Sequence, residues 1–120
     1  MKNKRWLDRF GFAWAGIIGA WRNERSFRTQ TAFAFALPVV LFLLHVTAVW
    51  WAICLTLAFL VLAAELFNTA LEAISDVLRP DNHPVIKIAK DSAAGAVLLL
   101  SICSLIVGLI AVLVRWGLIT

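Results

Sequence analysis

The stretch over residues 48–78, AVWWAICLTLAFLVLAAELFNTALEAISDVL, decides the fold of this chain. It opens with 17 uncharged residues, 48–64, and Glu65 follows them directly. A helix needs about 20 apolar residues to cross ~30 Å of hydrocarbon, so this run indicates a membrane span. Helical periodicity continues to Leu78 while one face turns polar, and Pro80 ends it. We therefore expect one helix that spans the bilayer and extends beyond it.

The composition of the whole chain agrees with a membrane protein. Of its 120 residues, 62% are hydrophobic and 15% charged, and a soluble domain of this size could not hide that much apolar surface. The length allows a single domain. The two cysteines, Cys54 and Cys103, lie far apart in apolar runs, which favours buried apolar residues over a metal or redox pair. The N-terminal segment has no cleavage-site pattern, so we expect no removed secretory signal.

Further segments flank this span on both sides. Residues 1–28 predict an amphipathic helix on the membrane surface, and 29–47 a short first span in which Pro38 is tolerated. Residues 79–91 form a loop, within which Pro84 restarts a short segment, 83–90, that leads into a third span over 92–116. The surface helix gathers its large apolar residues on one arc: Trp6, Phe10, Trp14, Ile17 and Trp21. The fold class is therefore all-α integral membrane, with a surface helix and three transmembrane helices.

Basic residues are concentrated on one side of the predicted spans. Seven of the eleven precede the first span, three lie between the second and third, and only Arg115 follows the third. The positive-inside rule then places the N-terminus and the loop in the cytoplasm and the C-terminus outside. The net charge of +4 suits anionic lipid, and no basic and aromatic constellation points to nucleic acid.

Four polar side chains follow the span along one helical face: Glu65, Asn68, Glu72 and Asp76. Spacings of three, four and four residues place them within about 80° of arc. A charge in the hydrocarbon costs about 2.5–3.5 kcal/mol at a helix centre, so a protein keeps it when something binds it. Oxygen ligands suit Mg²⁺, and desolvation brings a carboxylate closer to a useful general base. A solvated helix face is the alternative, which Asp76 alone would fit but Glu65 would not.

Two features outside this stripe extend the hypothesis. Glu24 lies among three arginines just before the first span, where it either pairs with them or supplies a metal ligand from a second helix. The run 87-KIAKD-91 places lysines at the membrane surface, where they hold phosphate or reach to lipid headgroups. Residues 11–18 have the glycine spacing of a P-loop but lack its Lys-Ser/Thr pair, so that phosphate cradle is absent.

Several of these residues together resemble the prokaryotic diacylglycerol kinase family. They are 65-ELFNTALEA-73, His83-Pro84 with 90-KDSAAGAV-97, and Trp14, Gly16, Trp21, Asn23-Glu24 and Phe27-Arg28. The resemblance covers roughly residues 5–116. It implies a homotrimer in the bacterial cytoplasmic (inner) membrane, with sites shared between subunits. Each subunit would have three spans and a surface helix, and the enzyme would transfer the γ-phosphoryl group of ATP to the primary hydroxyl of a membrane lipid.

The resemblance also implies roles for individual residues. Glu65 would be the general base on the lipid hydroxyl, and Asn68 would orient it. Glu24 and Glu72 would hold the Mg²⁺ that bridges the phosphates. Nucleotide contacts would come from Arg5, Phe12, Glu24, Glu72, Asp76, Asp81, Asn82, His83, Lys90 and Asp91. The lipid would be bordered by Ser26, Phe27, Arg28, Thr29, Gln30, Glu65 and Ala94.

The lipid acceptor stays open between two branches of this family, which phosphorylate diacylglycerol or undecaprenol. Trp14, Trp21 and Asn23-Glu24 resemble the diacylglycerol branch, which we favour. The run 87-KIAKD-91 with 93-AAG-95 resembles the undecaprenol branch.

Two other classes of membrane protein are alternatives to a kinase. A small proton-coupled transporter needs a buried glutamate, but it has no need of further carboxylates and a Lys-Asp pair on the cytoplasmic side. A non-catalytic membrane subunit would leave the polar stripe without a purpose.

Overall fold

Four α-helices account for most of the chain. The computed structural model describes residues 5–120, so the first four residues of the predicted surface segment lie outside it. The helices are α1 (Trp6–Asn23), α2 (Arg25–Leu44), α3 (Ala48–Leu78) and α4 (Pro84–Arg115). The prediction of an all-helical fold is confirmed.

Helices α2, α3 and α4 are long and apolar enough to cross a membrane. With 20 residues, α2 is about 30 Å long, which matches the hydrocarbon thickness. With 31 and 32 residues, α3 and α4 are about 46–48 Å long, so each extends beyond the hydrocarbon. Within the described chain only six apolar residues are buried, and large apolar side chains cover the outside. The chain is therefore a multi-pass membrane protein whose spans bury little of their apolar surface against one another.

Helix α1 keeps its aromatic stripe outside the protein. Trp6, Phe10 and Trp14 expose 76%, 74% and 63% of their surface, although α1 contacts both α2 and α3. The guanidinium of Arg9 lies 5.5 Å from the centre of the Trp6 ring, which is within range of a cation–π contact. An uncovered aromatic stripe with arginine beside it fits a helix that lies in the headgroup region.

The break between α1 and α2 comes earlier than the sequence predicts. The surface helix was expected to reach residue 28, whereas α1 ends at Asn23 and 25–28 already belong to α2. Glu24 between them is extended, with φ −117° and ψ 112°. The Arg28 guanidinium donates to two carbonyl oxygens of the last turn of α1, at 2.8 and 3.2 Å. These carbonyls lack helical partners, so Arg28 caps α1 from the next helix and stabilises the early end.

The loop before the third span is also shorter than predicted. The sequence predicts a loop over 79–91, whereas α4 begins at Pro84. His83 explains this start, because its Nδ1 accepts a hydrogen bond of 3.2 Å from the backbone N–H of Val85. Proline at the first position of a helix is preorganised and has no N–H to leave unpaired. Residues 84–91 of the predicted loop are therefore helical.

Helix α3 is the central element of the packing. It packs against α2 and most extensively against α4, whereas α2 and α4 do not pack closely against each other. Short connections over 45–47 and 79–83 make α3 antiparallel to both neighbours. A groove therefore opens between α2 and α4, with α3 as its floor.

Arg115 joins the far ends of α4 and α2. Its Nε donates a hydrogen bond to the carbonyl oxygen of Leu44, the last residue of α2. The chain turns away at His45, which is left-handed with φ 55°, so the carbonyl of Leu44 has no helical partner. The guanidinium thus ties α4 to the turn between α2 and α3.

We expect Arg115→Met to lower the free energy of unfolding by about 1–2 kcal/mol, because it removes a charged donor and keeps the aliphatic stem. Thermal unfolding in detergent micelles measures the loss. Arg79→Met is the matched control, since the Arg79 guanidinium pairs with an exposed carboxylate of Asp81 and its removal should change stability less. Equal losses in the two variants would contradict a special role for Arg115.

Candidate functional site

Glu65 is the most deeply buried carboxylate of the described chain. Its residue surface is only 4% exposed, and it lies on α3 directly after the apolar run. Ser26, in the first turn of α2, donates a hydrogen bond of 3.1 Å from its Oγ to Glu65 Oε2. A buried carboxylate is costly unless hydrogen-bond donors replace water, so this contact holds α2 beside α3 at this level.

Asn68 and Glu72 continue the same face of α3 towards its C-terminal end. Asn68 Nδ2 donates to Glu72 Oε1 at 3.4 Å, a long bond between residues four apart on one helix. Asn68 Oδ1 is buried and has no hydrogen-bond partner within residues 5–120. Buried polar atoms are nearly always paired in native proteins. This oxygen is therefore an open acceptor beside two carboxylates.

Two ion pairs involve the charged residues at the C-terminal end of α3 and the N-terminal end of α4, where the sequence predicts nucleotide contacts. Asp76 Oδ1 lies 2.9 Å from Lys90 Nζ and joins the two helices, while Asp91 Oδ2 lies 2.6 Å from Lys87 Nζ within α4. The hydrogen bond and charge of Asp76, followed by the charges of Glu72 and Asp91, raise the pKa of Lys90 above its usual value. The structure thus gives Asp76 a contact that its position on the sequence did not specify, and it brings two predicted nucleotide residues, Asp76 and Lys90, together.

Glu24 occupies the joint between α1 and α2 and is half-buried. Within the described residues its carboxylate makes no hydrogen bond and no ion pair with the neighbouring arginines. Arg28, the arginine that could have paired with it, is engaged with carbonyls of α1.

The other predicted nucleotide residues are spread over the α1 end and the 79–83 connection. Arg5 lies 3.9 Å from Asp8, and Phe12 is 47% exposed on α1. Asp81 is bound by both Nε and Nη2 of Arg79 at 3.1 and 3.0 Å, and this hydrogen bonding lowers the pKa of Asp81 below its usual range. Asn82 is exposed, and His83 caps α4. None of these five is brought against Lys90 by a described side-chain contact.

The predicted lipid-bordering residues on α2 do different things in the structure. Phe27 is buried with 4% exposed, and Thr29 donates from Oγ1 to the carbonyl of Arg25 in its own helix. Gln30 reaches α4, where its Nε2 donates to Ser101 Oγ at 3.3 Å. Ala94 is exposed on α4.

Sequence reasoning missed polar residues inside the spans. Ser101 faces Gln30, and Thr69 donates from Oγ1 to the backbone carbonyl of Glu65 at 2.9 Å. The signal for Ser101 is a hydroxyl in the otherwise apolar run 97–114, which also contains Ser104. The hydroxyl of a serine in a span commonly donates a hydrogen bond to a backbone carbonyl of its own helix. A role for Ser101 therefore becomes visible only from its contact with a residue of another helix.

The donor set around Asn68 and Glu72 fits Mg²⁺ chemically. Mg²⁺ takes oxygen ligands and usually binds through one or two carboxylates plus substrate phosphates. Glu72 offers a half-buried carboxylate, and the unpaired Asn68 Oδ1 offers a neutral oxygen beside it. No cluster of three or more His, Cys, Asp or Glu residues that could hold a metal ion occurs within residues 5–120.

The chain is similar to known lipid kinases along most of its length. A family model described as prokaryotic diacylglycerol kinase matches residues 11–112. A diacylglycerol kinase of Synechocystis sp. is 43% identical over 85% of this chain, although the match covers 59% of that relative's own length. An undecaprenol kinase of Bacillus subtilis is 37% identical over 88% of this chain and 86% of the relative. A diacylglycerol kinase of Pseudomonas aeruginosa is 37% identical over 78% and 76% respectively.

We expect Ser26→Ala to lower the free energy of unfolding by about 1–3 kcal/mol, because it leaves a buried carboxylate oxygen without its donor. Thermal unfolding in detergent measures the change. Ser26→Thr keeps the hydroxyl and should retain most of the stability. Thr29→Val is the matched control on the same helix, because that hydroxyl bonds only to its own helix. Wild-type stability of Ser26→Ala would show that the contact with Glu65 contributes nothing.

Proposed function

The chain belongs to the prokaryotic diacylglycerol kinase family, and from that membership we propose that it is an ATP-dependent lipid kinase. The observation that carries the proposal is the buried Glu65 carboxylate on a span, followed on the same helix by Asn68 and Glu72. Membership in this family supports a kinase over a transporter or a non-catalytic subunit. The kinase family implies ATP as the phosphoryl donor.

We assign Glu65 the role of general base. Phosphoryl transfer to an alcohol needs a group that accepts the hydroxyl proton, and a carboxylate at the boundary between lipid and water is suited to it. Ser26 holds one oxygen of Glu65 and leaves the other, Oε1, without a described partner. That oxygen is the one we propose faces the lipid hydroxyl. Asn68, three residues further along α3, would orient Glu65 and the acceptor hydroxyl relative to each other.

We assign Mg²⁺ to Glu72 and Glu24, with the nucleotide phosphates as further ligands. A divalent cation would neutralise the charge on the phosphates and help to align the transferred group. Half-buried Glu24 and Glu72 supply carboxylates from two different helices. The open Asn68 Oδ1 lies beside Glu72 and suits the same cation or the acceptor hydroxyl.

Lys90 and Asp91 are the proposed core of the nucleotide contacts. In the structure Lys90 is paired with Asp76, so a bound triphosphate would compete with Asp76 for the ammonium group. Asp76 would then hold Lys90 in position while the site is empty of nucleotide. The remaining proposed contacts come from the α1 end and the connection before α4: Arg5, Phe12, Asp81, Asn82 and His83.

We propose that the active unit is a homotrimer whose sites are shared between subunits. Three spans offer little volume to enclose a nucleotide and a lipid together, so a neighbouring subunit would complete the enclosure. The apolar outside of the spans is available for subunit contact as well as for lipid. The small residues 93–96 on α4 would let helices approach closely.

We propose diacylglycerol as the acceptor, with phosphatidic acid as the product, and undecaprenol as the second candidate. The diacylglycerol kinase of Synechocystis supports the first, and the undecaprenol kinase of Bacillus subtilis supports the second. We place the N-terminus and the site on the cytoplasmic side of the bacterial inner membrane. Ten of the eleven basic residues lie on that side of the spans, which supports this orientation.

The direct test offers the purified full chain Mg²⁺, ATP and each lipid in turn, and follows phosphate transfer to the lipid. We expect diacylglycerol to be phosphorylated, and we expect Glu65→Gln to lower kcat by about 10²–10⁴-fold while ATP binding stays close to wild type. Glu65→Gln keeps the size of the side chain and removes its basicity. Full activity in this variant would remove Glu65 from the role of base, and failure of every lipid would refute the proposed function.

The metal assignment has a separate test. We expect Glu72→Ala to weaken binding of MgATP by about tenfold or more, because the cation loses a carboxylate ligand. Titration with a fluorescent ATP analogue at several Mg²⁺ concentrations measures the affinity. Asp8→Asn is the control for lost negative charge alone, because it removes the charge of a half-buried acid on α1 and keeps a polar side chain of the same size beside Arg5. An unchanged affinity in Glu72→Ala would refute its role as a metal ligand.

A further inference from the structure

The groove between α2 and α4 holds a polar pair at one level of an otherwise apolar lining. Its volume is about 480 Å³, and its walls include Phe33, Leu37, Val61 and Leu105. Among its lining residues the polar side chains are Gln30, Ser101 and Ser104. The groove is therefore built for an apolar occupant that carries polar atoms at one point along its length.

Gln30 and Ser101 retain hydrogen-bonding capacity that faces this groove. Gln30 Nε2 uses one of its two N–H groups on Ser101 Oγ, at a long 3.3 Å. Within the described chain neither the second N–H of Gln30 nor the hydroxyl proton of Ser101 has an assigned acceptor. Ser104 differs, because its Oγ donates at 2.8 Å to the carbonyl of Leu100 in its own helix. An unused donor in an apolar groove is costly unless a ligand supplies an acceptor.

The depth of this pair matches the depth of the proposed base. Asp76 and Lys90 are in contact on antiparallel helices, and Glu65 and Ser101 each lie eleven residues from that contact, towards the membrane interior. Ser101 therefore stands at about the level of Glu65. Gln30 lies four residues beyond Ser26, which is one helical turn or about 6 Å deeper than the residue that binds Glu65. The polar pair is therefore at about the depth of the base, and the apolar groove continues beyond it.

The polar atoms of diacylglycerol match the order of base, polar pair and apolar groove. Its primary hydroxyl is separated by a few bonds from two ester carbonyl groups, which accept hydrogen bonds, and its tails are apolar. A polyprenol has a primary hydroxyl on an apolar chain with no carbonyl. A diacylglycerol with its hydroxyl at Glu65 and its acyl chains in the groove would present ester carbonyls to the two unused donors. A polyprenol in the same position would present no acceptor to them.

We propose that Gln30 and Ser101 are specificity-determining residues that donate hydrogen bonds to the ester carbonyls of a diacylglycerol whose acyl chains lie in the groove. This inference rests on the proposed lipid kinase function and extends it to the choice of acceptor. A polyprenol entering the same groove would leave both donors unpaired, and discrimination by unpaired buried polar groups is stronger than discrimination by shape alone.

The experiment compares three acceptors with the full-length protein: dioleoylglycerol, the dioleyl ether of glycerol, and undecaprenol. The ether has the same skeleton and hydroxyl but no carbonyl. We expect wild-type kcat/KM to be about thirtyfold higher for the ester than for the ether, from about tenfold for the Gln30 hydrogen bond and about threefold for the Ser101 hydrogen bond. Gln30→Leu should lower the value for the ester about tenfold and the value for the ether less than about twofold. Ser101→Ala should lower the ester-to-ether ratio by a smaller factor, about threefold.

Thr31→Val is the matched control beside Gln30. Its hydroxyl donates to the carbonyl of Phe27 at 2.7 Å in its own helix, so the ester-to-ether ratio should stay at the wild-type value. An equal loss for ester and ether in Gln30→Leu would assign Gln30 a structural role and overturn the proposal. A wild-type enzyme with no preference for the ester, or one that prefers undecaprenol, would also overturn it while leaving the kinase function standing. No turnover of any acceptor would refute the kinase function itself.

Discussion

The Glu65 carboxylate directly follows 17 uncharged residues of α3, and its residue surface is 4% exposed. Such a group persists only where donors replace the water it has lost, and the Ser26 hydroxyl on α2 supplies one. This requirement sets the first turn of α2 beside α3 at the level of Glu65. It also requires α2 to begin early, which the extended residue Glu24 permits while α1 turns onto the membrane surface.

The register between α3 and α4 follows from a second polar contact outside the hydrocarbon. Asp76 and Lys90 pair between the helices, and the antiparallel run of both places Ser101 opposite the level of Glu65. Polar groups from three helices therefore meet in one layer between the apolar groove and the charged extension of α3. A lipid with a polar head and apolar tails matches that order of environments along the membrane normal, and a soluble substrate does not.

Sequence reasoning succeeded where the physical signal is carried by neighbours along the chain. The run 48–64 and the helical spacing after Glu65 were enough to predict the span and the shared face of its polar residues, because helix geometry converts spacing into direction. It placed the C-terminal end of α1 too late and the beginning of α4 too late. No glycine or proline marks the break at Glu24, since the stabilising contact comes from Arg28 on the following helix. The early start of α4 depends on a cap from the His83 side chain, whose tautomer and rotamer a sequence does not reveal.

By itself the sequence determined the membrane setting, the helical class and the set of chemically capable residues, because these depend on composition and on distances of a few residues. The family followed from the resemblance of its motifs. Only the tertiary structure decided which of those residues meet. It paired Ser26 with Glu65, Asp76 with Lys90 and Gln30 with Ser101, contacts that span 39, 14 and 71 residues. Contacts at such separations depend on how the helices pack and on their relative register. That packing is set by the whole chain at once, so no local pattern encodes it.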